Sequence, residues 1–197
     1  MDSEMYYING TKKWLNGLNI QYDEKDIMKI VGLTMEDTYK FLSNLSGLSY
    51  KDCVIHNEKY FNSHPINFQK LIYKEVEEVF KKLHERGYII AICSMSPYGY
   101  IKKFVEDNNL DEYVNFFISG EDLKNNKPAP DIYLKSLKDL NLKPEEVIVV
   151  EDALSGIMSA KNAGLKVYAR DASRYHVDQS EASGVLSCLD DLFKILE

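Results

Sequence analysis

The second part of the chain alternates short apolar runs with amphipathic helical patterns, and this alternation limits the folds open to it. The apolar runs are YIIAIC, VNFFIS, EVIVVED and KVYAR, which begin at residues 88, 114, 146 and 166. Strands that alternate with helices form parallel sheets through right-handed crossovers. We therefore expect residues 74–197 to form an α/β core domain with a parallel sheet flanked by helices. A possible short edge strand and a final helix are expected to end this domain.

The first part of the chain has a different pattern. Residues 4–73 read as consecutive helices, beginning with EMYYINGTKKWLNGL and including a capping box in which Thr34 precedes Asp37. The histidine before Pro65 ends the last of these helices, because residues that precede proline avoid helical torsions. We therefore expect a separate α-helical domain over residues 4–73.

Composition and charge exclude several classes of partner. The formal net charge is −7, and phosphate backbones recruit basic surfaces, so nucleic acid is not an expected partner. No apolar run reaches transmembrane length, and the first residues do not form a signal peptide, so no membrane partner is expected. Cys53, Cys93 and Cys188 are widely spaced, which indicates neither a disulfide framework nor a zinc site and favours a cytoplasmic protein.

Polar residues follow three of the apolar runs where each strand is expected to end. Ser94 follows the first run, Lys127 lies shortly after the second, and Glu151 and Asp152 end the third. Ligands bind at the carboxyl ends of parallel strands, so we expect these side chains to converge. These segments also have purely structural interpretations. Ser96, two residues after Ser94, is expected to cap the helix that follows, Asp152 could cap another helix, and Lys127 could be an exposed loop residue.

Taken together, these residues indicate phosphoryl chemistry. Adjacent carboxylates suit Mg²⁺, a lysine can neutralise phosphate oxygens, and a serine hydroxyl with the backbone N–H groups of a helix start can hold a phosphate. Such reactions are catalysed mainly by positioning and charge neutralisation. None of these residues is an evident nucleophile.

Three segments resemble the second, third and fourth motifs of the haloacid dehalogenase (HAD) superfamily. They are IAICSMSP, GEDLKNNKPAPDIY and VIVVEDALSGIMSAKNAGLKVYA, which begin at residues 90, 120 and 147. The resemblance is to the phosphatase and β-phosphoglucomutase-like branch, and it implies a Rossmann-like core with residues 4–73 as an inserted helical cap. It implies that Ser94, Met95 and Lys127 bind the phosphoryl group, that Ser94 and Lys127 assist catalysis, and that Glu151 and Asp152 form the Mg²⁺ site, with Asp152 the direct ligand.

The first motif of that superfamily resembles only the start of this chain. It reads Asp-x-Asp-Gly-x-x-x-Asp-Ser-Glu and follows a central strand, whereas here only Asp2-Ser3-Glu4 remains. The resemblance therefore implies that both catalytic aspartates and their strand are absent from these 197 residues. We expect the gap in the sheet to be closed by direct pairing of the strands at 88–93 and 146–150, by another chain, or by residues outside this numbering.

The resemblance implies a phosphatase that hydrolyses a small phosphorylated metabolite through an aspartyl phosphate, with these 197 residues inactive by themselves. One alternative is a non-catalytic protein that binds phosphate or another ligand. Another is a sugar-phosphate mutase, which the residues favour less: Met35 and Tyr7 stand where β-phosphoglucomutases carry an arginine and a histidine. The sequence gives no prediction of oligomeric state.

Overall fold

A computed structural model describes residues 1–196, except for the side chain of Asp122. The chain divides into two compact units, Met1–Leu71 and Ile72–Glu197. Among the described residues, no helix combines the length and the apolar character needed to cross a membrane. The roles predicted for the two parts, a cap and a catalytic core, remain predictions.

The first unit is built from four α-helices and two short 3₁₀ turns. The helices are α1 (Ser3–Gly17), α2 (Glu24–Ile27), α3 (Met35–Ser46) and α4 (Tyr50–Ser63), and the 3₁₀ turns cover Met28–Ile30 and Phe68–Lys70. The predicted capping box is present, since the Thr34 hydroxyl accepts a hydrogen bond from the Asp37 N–H at 3.1 Å. Trp14 and Leu15 of α1 and Leu42 of α3 are buried, as expected for helices that share an apolar interior.

The second unit alternates strands and helices in the predicted order. Its helices are α5 (Val76–Glu85), α6 (Tyr98–Asp107), α7 (Asp131–Leu140) and α8 (Leu154–Asn162). Its strands are β1 (Ile90–Ser94), β2 (Val114–Ser119), β3 (Ile148–Glu151), β4 (Lys166–Arg170) and β5 (Val185–Leu186). The predicted α/β class is confirmed, but the predicted final helix is a 3₁₀ segment, Leu189–Lys194.

The strands form two parallel sheets instead of one. One sheet pairs β1 with β2, and the other has the order β3-β4-β5. Within the described residues no strand pairing joins β1 to β3, so the direct pairing that the sequence offered as one way to close the gap is not formed.

The main core of the second unit lies between β3, β4 and the helices α7 and α8. Its buried residues include Ile132, Ile157 and Val167, and Cys93 of β1 packs at its margin. A further cluster joins α5 and α6 through Val76, Val105 and Leu110, with Ile92 of β1 against it. These clusters fix the helices around the ends of the strands, where the predicted functional residues lie.

Candidate active site

Lys127 links the carboxyl ends of β1 and β3. Its Nζ donates a hydrogen bond to the Cys93 carbonyl oxygen at 3.0 Å and forms an ion pair with the Glu151 carboxylate. The side chains of Lys127 and Glu151 are only 9% and 12% exposed. The sequence placed Lys127 and Glu151 near each other, and the structure brings them into direct contact.

Tyr133 of α7 is part of the same cluster. Its hydroxyl donates to the Glu151 carboxylate and lies 3.4 Å from Lys127 Nζ. Burial and the neighbouring Glu151 charge raise the pKa of Tyr133, so the hydroxyl stays protonated and remains a donor. Sequence analysis missed this residue because one tyrosine in an amphipathic helix has no distinguishing pattern, although it lies only six positions after Lys127.

The loop that carries Lys127 is fixed by polar side chains of α8. The Ser159 hydroxyl donates to the Ala129 carbonyl at 2.6 Å, and the Asn162 amide donates to the Pro128 carbonyl at 3.0 Å. The Lys127–Pro128 peptide bond is cis. These two contacts tie the backbone just after Lys127 to α8.

Gly156, at the start of α8, leaves room for the Glu151 side chain. A Cβ at this position would lie 2.2 Å from the Glu151 carboxylate, which is far closer than any real contact. The absence of a side chain at Gly156 therefore lets the carboxylate pass over the helix start and reach Lys127 and Tyr133.

Ser94 and Met95 form the turn that follows β1. The Ser94 hydroxyl accepts a hydrogen bond from the Ser96 N–H at 3.1 Å, and the Ser119 hydroxyl donates to the Ser96 carbonyl at 2.8 Å. Met95 is packed against Gly120, where a Cβ would lie 2.1 Å from its Cε. The turn is thus held by the end of β2, beside the end of β1.

The prediction that Ser96 caps α6 is wrong. The residue at the N-cap position is Pro97, whose side chain cannot accept a hydrogen bond. The Tyr98 N–H at the helix start instead donates to the Glu121 carboxylate at 2.7 Å. This acceptor comes from the segment after β2, and its distance along the chain hid it from local sequence patterns.

Asp152 follows Glu151 at the end of β3. It does not cap α8, because the N-cap residue is Ala153 and has no side-chain hydrogen bond. Its backbone carbonyl accepts from the Gln179 amide at 2.9 Å, a contact that sequence analysis did not anticipate. Burial, followed by the Glu151 charge, raises the pKa of Asp152, so the surroundings of this carboxyl group oppose its ionised form.

Few side chains at this edge could bind a divalent cation. The described residues contain no group of three or more histidine, cysteine, aspartate or glutamate side chains placed to hold a metal ion. Glu151 is already engaged by Lys127 and Tyr133, which leaves Asp152 as the carboxylate at this edge. Mg²⁺ often takes only one or two carboxylates and keeps waters and phosphate oxygens as its other ligands, so one carboxylate fits a site that substrate helps to complete.

A parallel α/β fold with a lysine, a hydroxyl and a carboxylate at the strand ends suits phosphoryl chemistry. The model of the haloacid dehalogenase-like hydrolase family matches residues 1–170. The chain belongs to the haloacid dehalogenase-like hydrolase family and is, by family, a phosphatase-type hydrolase.

Two curated relatives have phosphatase names. The chain is 30% identical over 182 residues to the pyrophosphatase PpaX of Halalkalibacterium halodurans, covering 89% of this chain and 81% of that protein. It is 27% identical over 180 residues to a phosphorylated carbohydrates phosphatase of Thermotoga maritima, covering 84% of this chain and 77% of that protein. Both relatives are thus named for phosphorylated substrates, and phosphatases of this family generally use a divalent metal ion.

Solved structures show the same fold. A conserved haloacid dehalogenase-like protein from Agrobacterium tumefaciens has a TM-score of 0.79 at 22% identity, covering 99% of this chain and 91% of that chain. A β-phosphoglucomutase from Clostridium difficile has a TM-score of 0.73 at 20% identity, covering 100% of this chain and 90% of that chain. At this identity the likeness concerns the fold alone.

Proposed function

We propose that this chain carries the phosphate-binding and charge-neutralising residues of a cytoplasmic Mg²⁺-dependent phosphatase that hydrolyses a small phosphorylated metabolite through an aspartyl phosphate. The observation that carries the proposal is the position of Lys127. Its buried ammonium group lies at the carboxyl ends of both β1 and β3, where a phosphoryl group would approach.

Lys127 and Ser94 have distinct roles in this proposal. Lys127 neutralises charge that develops on the transferring phosphoryl oxygens, and Glu151 and Tyr133 hold it in position for this task. The Ser94 hydroxyl accepts from the Ser96 N–H, so its own hydrogen is directed elsewhere and can be donated to a phosphoryl oxygen. The Met95 N–H, in the same turn, is proposed as a second donor to the phosphate.

Asp152 is the residue proposed to hold Mg²⁺. The raised pKa of this carboxyl group means that a cation beside it would relieve an unfavourable charge. Glu151 is proposed to act next to the metal site by keeping Lys127 paired. When bound, Mg²⁺ would supply additional neutralisation of phosphate charge.

None of Ser94, Lys127, Glu151 or Asp152 is proposed as the nucleophile. Phosphoryl transfer to an enzyme carboxylate requires a group in line with the phosphorus atom, and binding residues alone do not replace it. We therefore propose that a polypeptide of these 197 residues alone has no measurable turnover. In the complete site, an aspartate after a central strand would attack phosphorus, and water would then release inorganic phosphate from the aspartyl phosphate.

The names of the relatives bear on the class of substrate. One relative is named a pyrophosphatase and another a phosphorylated carbohydrates phosphatase. We propose a small phosphorylated metabolite as the substrate of this chain, selected by the helical residues 4–73 acting as a cap. Nucleic acid is not proposed as a partner, since the net charge is −7.

The test is to add an apolar strand followed by Asp-x-Asp-Gly-x-x-x before Asp2, which restores the motif spacing, and to measure phosphate release from a generic phosphoester with and without Mg²⁺. We expect Mg²⁺-dependent release that falls roughly 10²–10³-fold with Lys127→Met. A folded fusion protein that releases no phosphate from pyrophosphate or sugar phosphates would exclude a phosphatase. Tight phosphate binding by the same inactive protein, lost with Lys127→Met, would instead favour the non-catalytic binding function.

A further inference from the structure

The side chain of Gln179 binds three backbone groups at the carboxyl edge of the β3-β4-β5 sheet. Its amide nitrogen donates to the Asp152 carbonyl oxygen at 2.9 Å and to the Arg170 carbonyl oxygen at 2.8 Å. Its amide oxygen accepts from the Ala172 N–H at 3.2 Å. A carboxamide has two N–H donors and one oxygen, so all of these groups are engaged. The reverse orientation of the amide would place its oxygen against two carbonyl oxygens.

These hydrogen bonds begin where the pairing of β3 with β4 ends. The last matched residues of the two strands are Glu151 and Ala169, so Asp152 and Arg170 are the next residues along each strand. The Gln179 amide nitrogen contacts the carbonyl oxygens of both. A side chain therefore joins the two strand ends at the point where backbone pairing stops, and it supplies donors that the exposed end of a ladder lacks.

The segment that carries Gln179 is itself bound to β4. The Ser183 N–H donates to the Val167 carbonyl at 2.8 Å, and the Ala169 N–H donates to the Gly184 carbonyl at 2.9 Å. Gln179 comes shortly before this paired stretch and is half-buried. Its side chain is therefore held against the strand ends by the chain that follows it.

The end of β4 is also fixed from another direction. The Arg170 guanidinium lies 4.7 Å from the centroid of the Tyr73 ring, and its Nη2 lies 3.5 Å from Glu75 Oε1. The side chains of Arg170 and Glu75 are largely buried. Gln179 thus connects Asp152 to a strand end that other contacts already hold.

Asp152 gains little support from the helix that follows it. The next residue, Ala153, is the N-cap of α8 and makes no side-chain hydrogen bond. An aspartate side chain is short, so its carboxyl group follows any shift of its backbone. A group that binds a metal ion must be held within about 0.5 Å of its productive position. The contact from Gln179 meets this requirement at the backbone of Asp152.

We propose that Gln179 is a positioning residue of the candidate active site, which fixes the backbone at Asp152 and so holds the carboxyl group of Asp152 where it can bind Mg²⁺. This inference rests on the proposed function, because the role of Asp152 as a metal ligand is itself proposed. Gln179 acts through the backbone of Asp152 and of β4, and it contacts neither the metal ion nor the substrate.

The test is an NMR titration of the 197-residue protein with Mg²⁺, followed at the amides of Asp152 and Ala153, in the unsubstituted protein and in Gln179→Met. Methionine keeps the length of the side chain but cannot donate to the two carbonyls. We expect the substitution to weaken Mg²⁺ binding by about tenfold and to increase the mobility of the Asp152 amide in ¹⁵N relaxation. Unchanged affinity, or an Asp152 amide that stays equally rigid, would overturn the proposal.

Asn108→Leu is the matched control for a general loss of stability. Asn108 is also half-buried, and its side-chain amide donates to the Phe104 carbonyl at 2.8 Å, in and just after α6. We expect this variant to bind Mg²⁺ as the unsubstituted protein does. An equal loss of affinity in both variants would show that Gln179 has only a structural role, and the proposal would fail.

A second substitution covers the case in which Gln179→Met does not fold. Ionised glutamate in Gln179→Glu still accepts from the Ala172 N–H but donates to neither carbonyl, so the same loss of Mg²⁺ affinity is expected. Full affinity in a folded Gln179→Glu protein would contradict the proposal.

Asp152→Asn separates this inference from the proposed function. We expect the variant to lose Mg²⁺ binding. If the unsubstituted protein binds no Mg²⁺, or if binding survives Asp152→Asn, the proposed metal site is wrong and the role of Gln179 fails with it. If binding depends on Asp152 and not on Gln179, the proposed metal site stands and only the present inference fails.

Discussion

Lys127 and Glu151 form an ion pair whose side chains are 9% and 12% exposed, at the point where β1 and β3 end. Removal of one member of such a pair leaves an uncompensated charge away from water. The stability of the second unit and the chemistry of its candidate site therefore depend on the same contact.

Substitution of Lys127 by Met should lower the free energy of unfolding by about 3–5 kcal/mol, because Glu151 then keeps a charge without its partner. Urea denaturation of the 197-residue protein measures this loss. The double variant K127M/E151Q should recover much of it, because both charges are removed together.

Lys135 provides the matched control for this substitution. It pairs with Asp139 on the surface of α7, and these side chains are 50% and 33% exposed. Lys135→Met should change the free energy of unfolding by less than about 1 kcal/mol. Equal losses for the two lysines would mean that the Lys127 pair does not behave as a buried pair.

Substitution of Asp152 by Asn should stabilise the protein at neutral pH. Burial and the Glu151 charge raise the pKa of Asp152, so the folded state favours the protonated carboxyl group. Protonated Asp152 contributes stability below the ordinary pKa of 3.8, and this contribution is lost as the pH rises through the raised pKa of the folded state. Asn carries no charge, so the variant should gain in Tm at pH 7 and not at pH 3.

Asp171→Asn is the control, because the pKa of Asp171 is shifted in the opposite direction to that of Asp152. The pKa of Asp171 is lowered, chiefly by the Ser173 backbone N–H, whose nitrogen lies 2.9 Å from its Oδ1. Its contribution is present above the ordinary pKa and is lost as the pH falls, so this variant should not gain in Tm at pH 7. A gain in both variants would point to a general effect of net charge.

Substitution of Gly156 by Ala should destabilise the protein, because the new Cβ would lie 2.2 Å from the Glu151 carboxylate and displace it from Lys127. The control is Gly99→Ala in α6, where a Cβ meets nothing within 4 Å. That change should stabilise by about 0.4–1 kcal/mol, since alanine restricts the unfolded chain. A stabilising effect at Gly156 would show that Glu151 can move without cost.

The order of elements and the convergence at the strand ends could be predicted because they depend on local patterns and one topological rule. Apolar runs of strand length indicated the positions of β1–β4, and the rule for parallel strands led us to expect polar residues together at their ends, where Lys127 contacts Cys93 and Glu151. The contacts that fix this edge could not be predicted in the same way. Glu121 and Gln179 act on backbone groups 23 and 27 residues away, and such pairings leave no periodic signal.

Splitting of the sheet was only partly predictable. The resemblance implied a gap beside β1 and β3, but direct pairing of the two strands was one of the expected solutions. Among the described residues β1 and β3 are not paired, although Lys127 contacts the ends of both strands and Cys93 packs at the margin of the main core.

The most direct test of the central claim is to measure phosphate bound covalently to the fusion protein that carries the added Asp-x-Asp-Gly strand, in reactions with a phosphoester quenched by acid within milliseconds to seconds. We expect a hydroxylamine-sensitive acyl phosphate on the first added aspartate, formed with Mg²⁺ and strongly reduced by Lys127→Met. A folded fusion protein that turns over substrate without any phosphoenzyme, or forms it equally well without Lys127, would contradict the account.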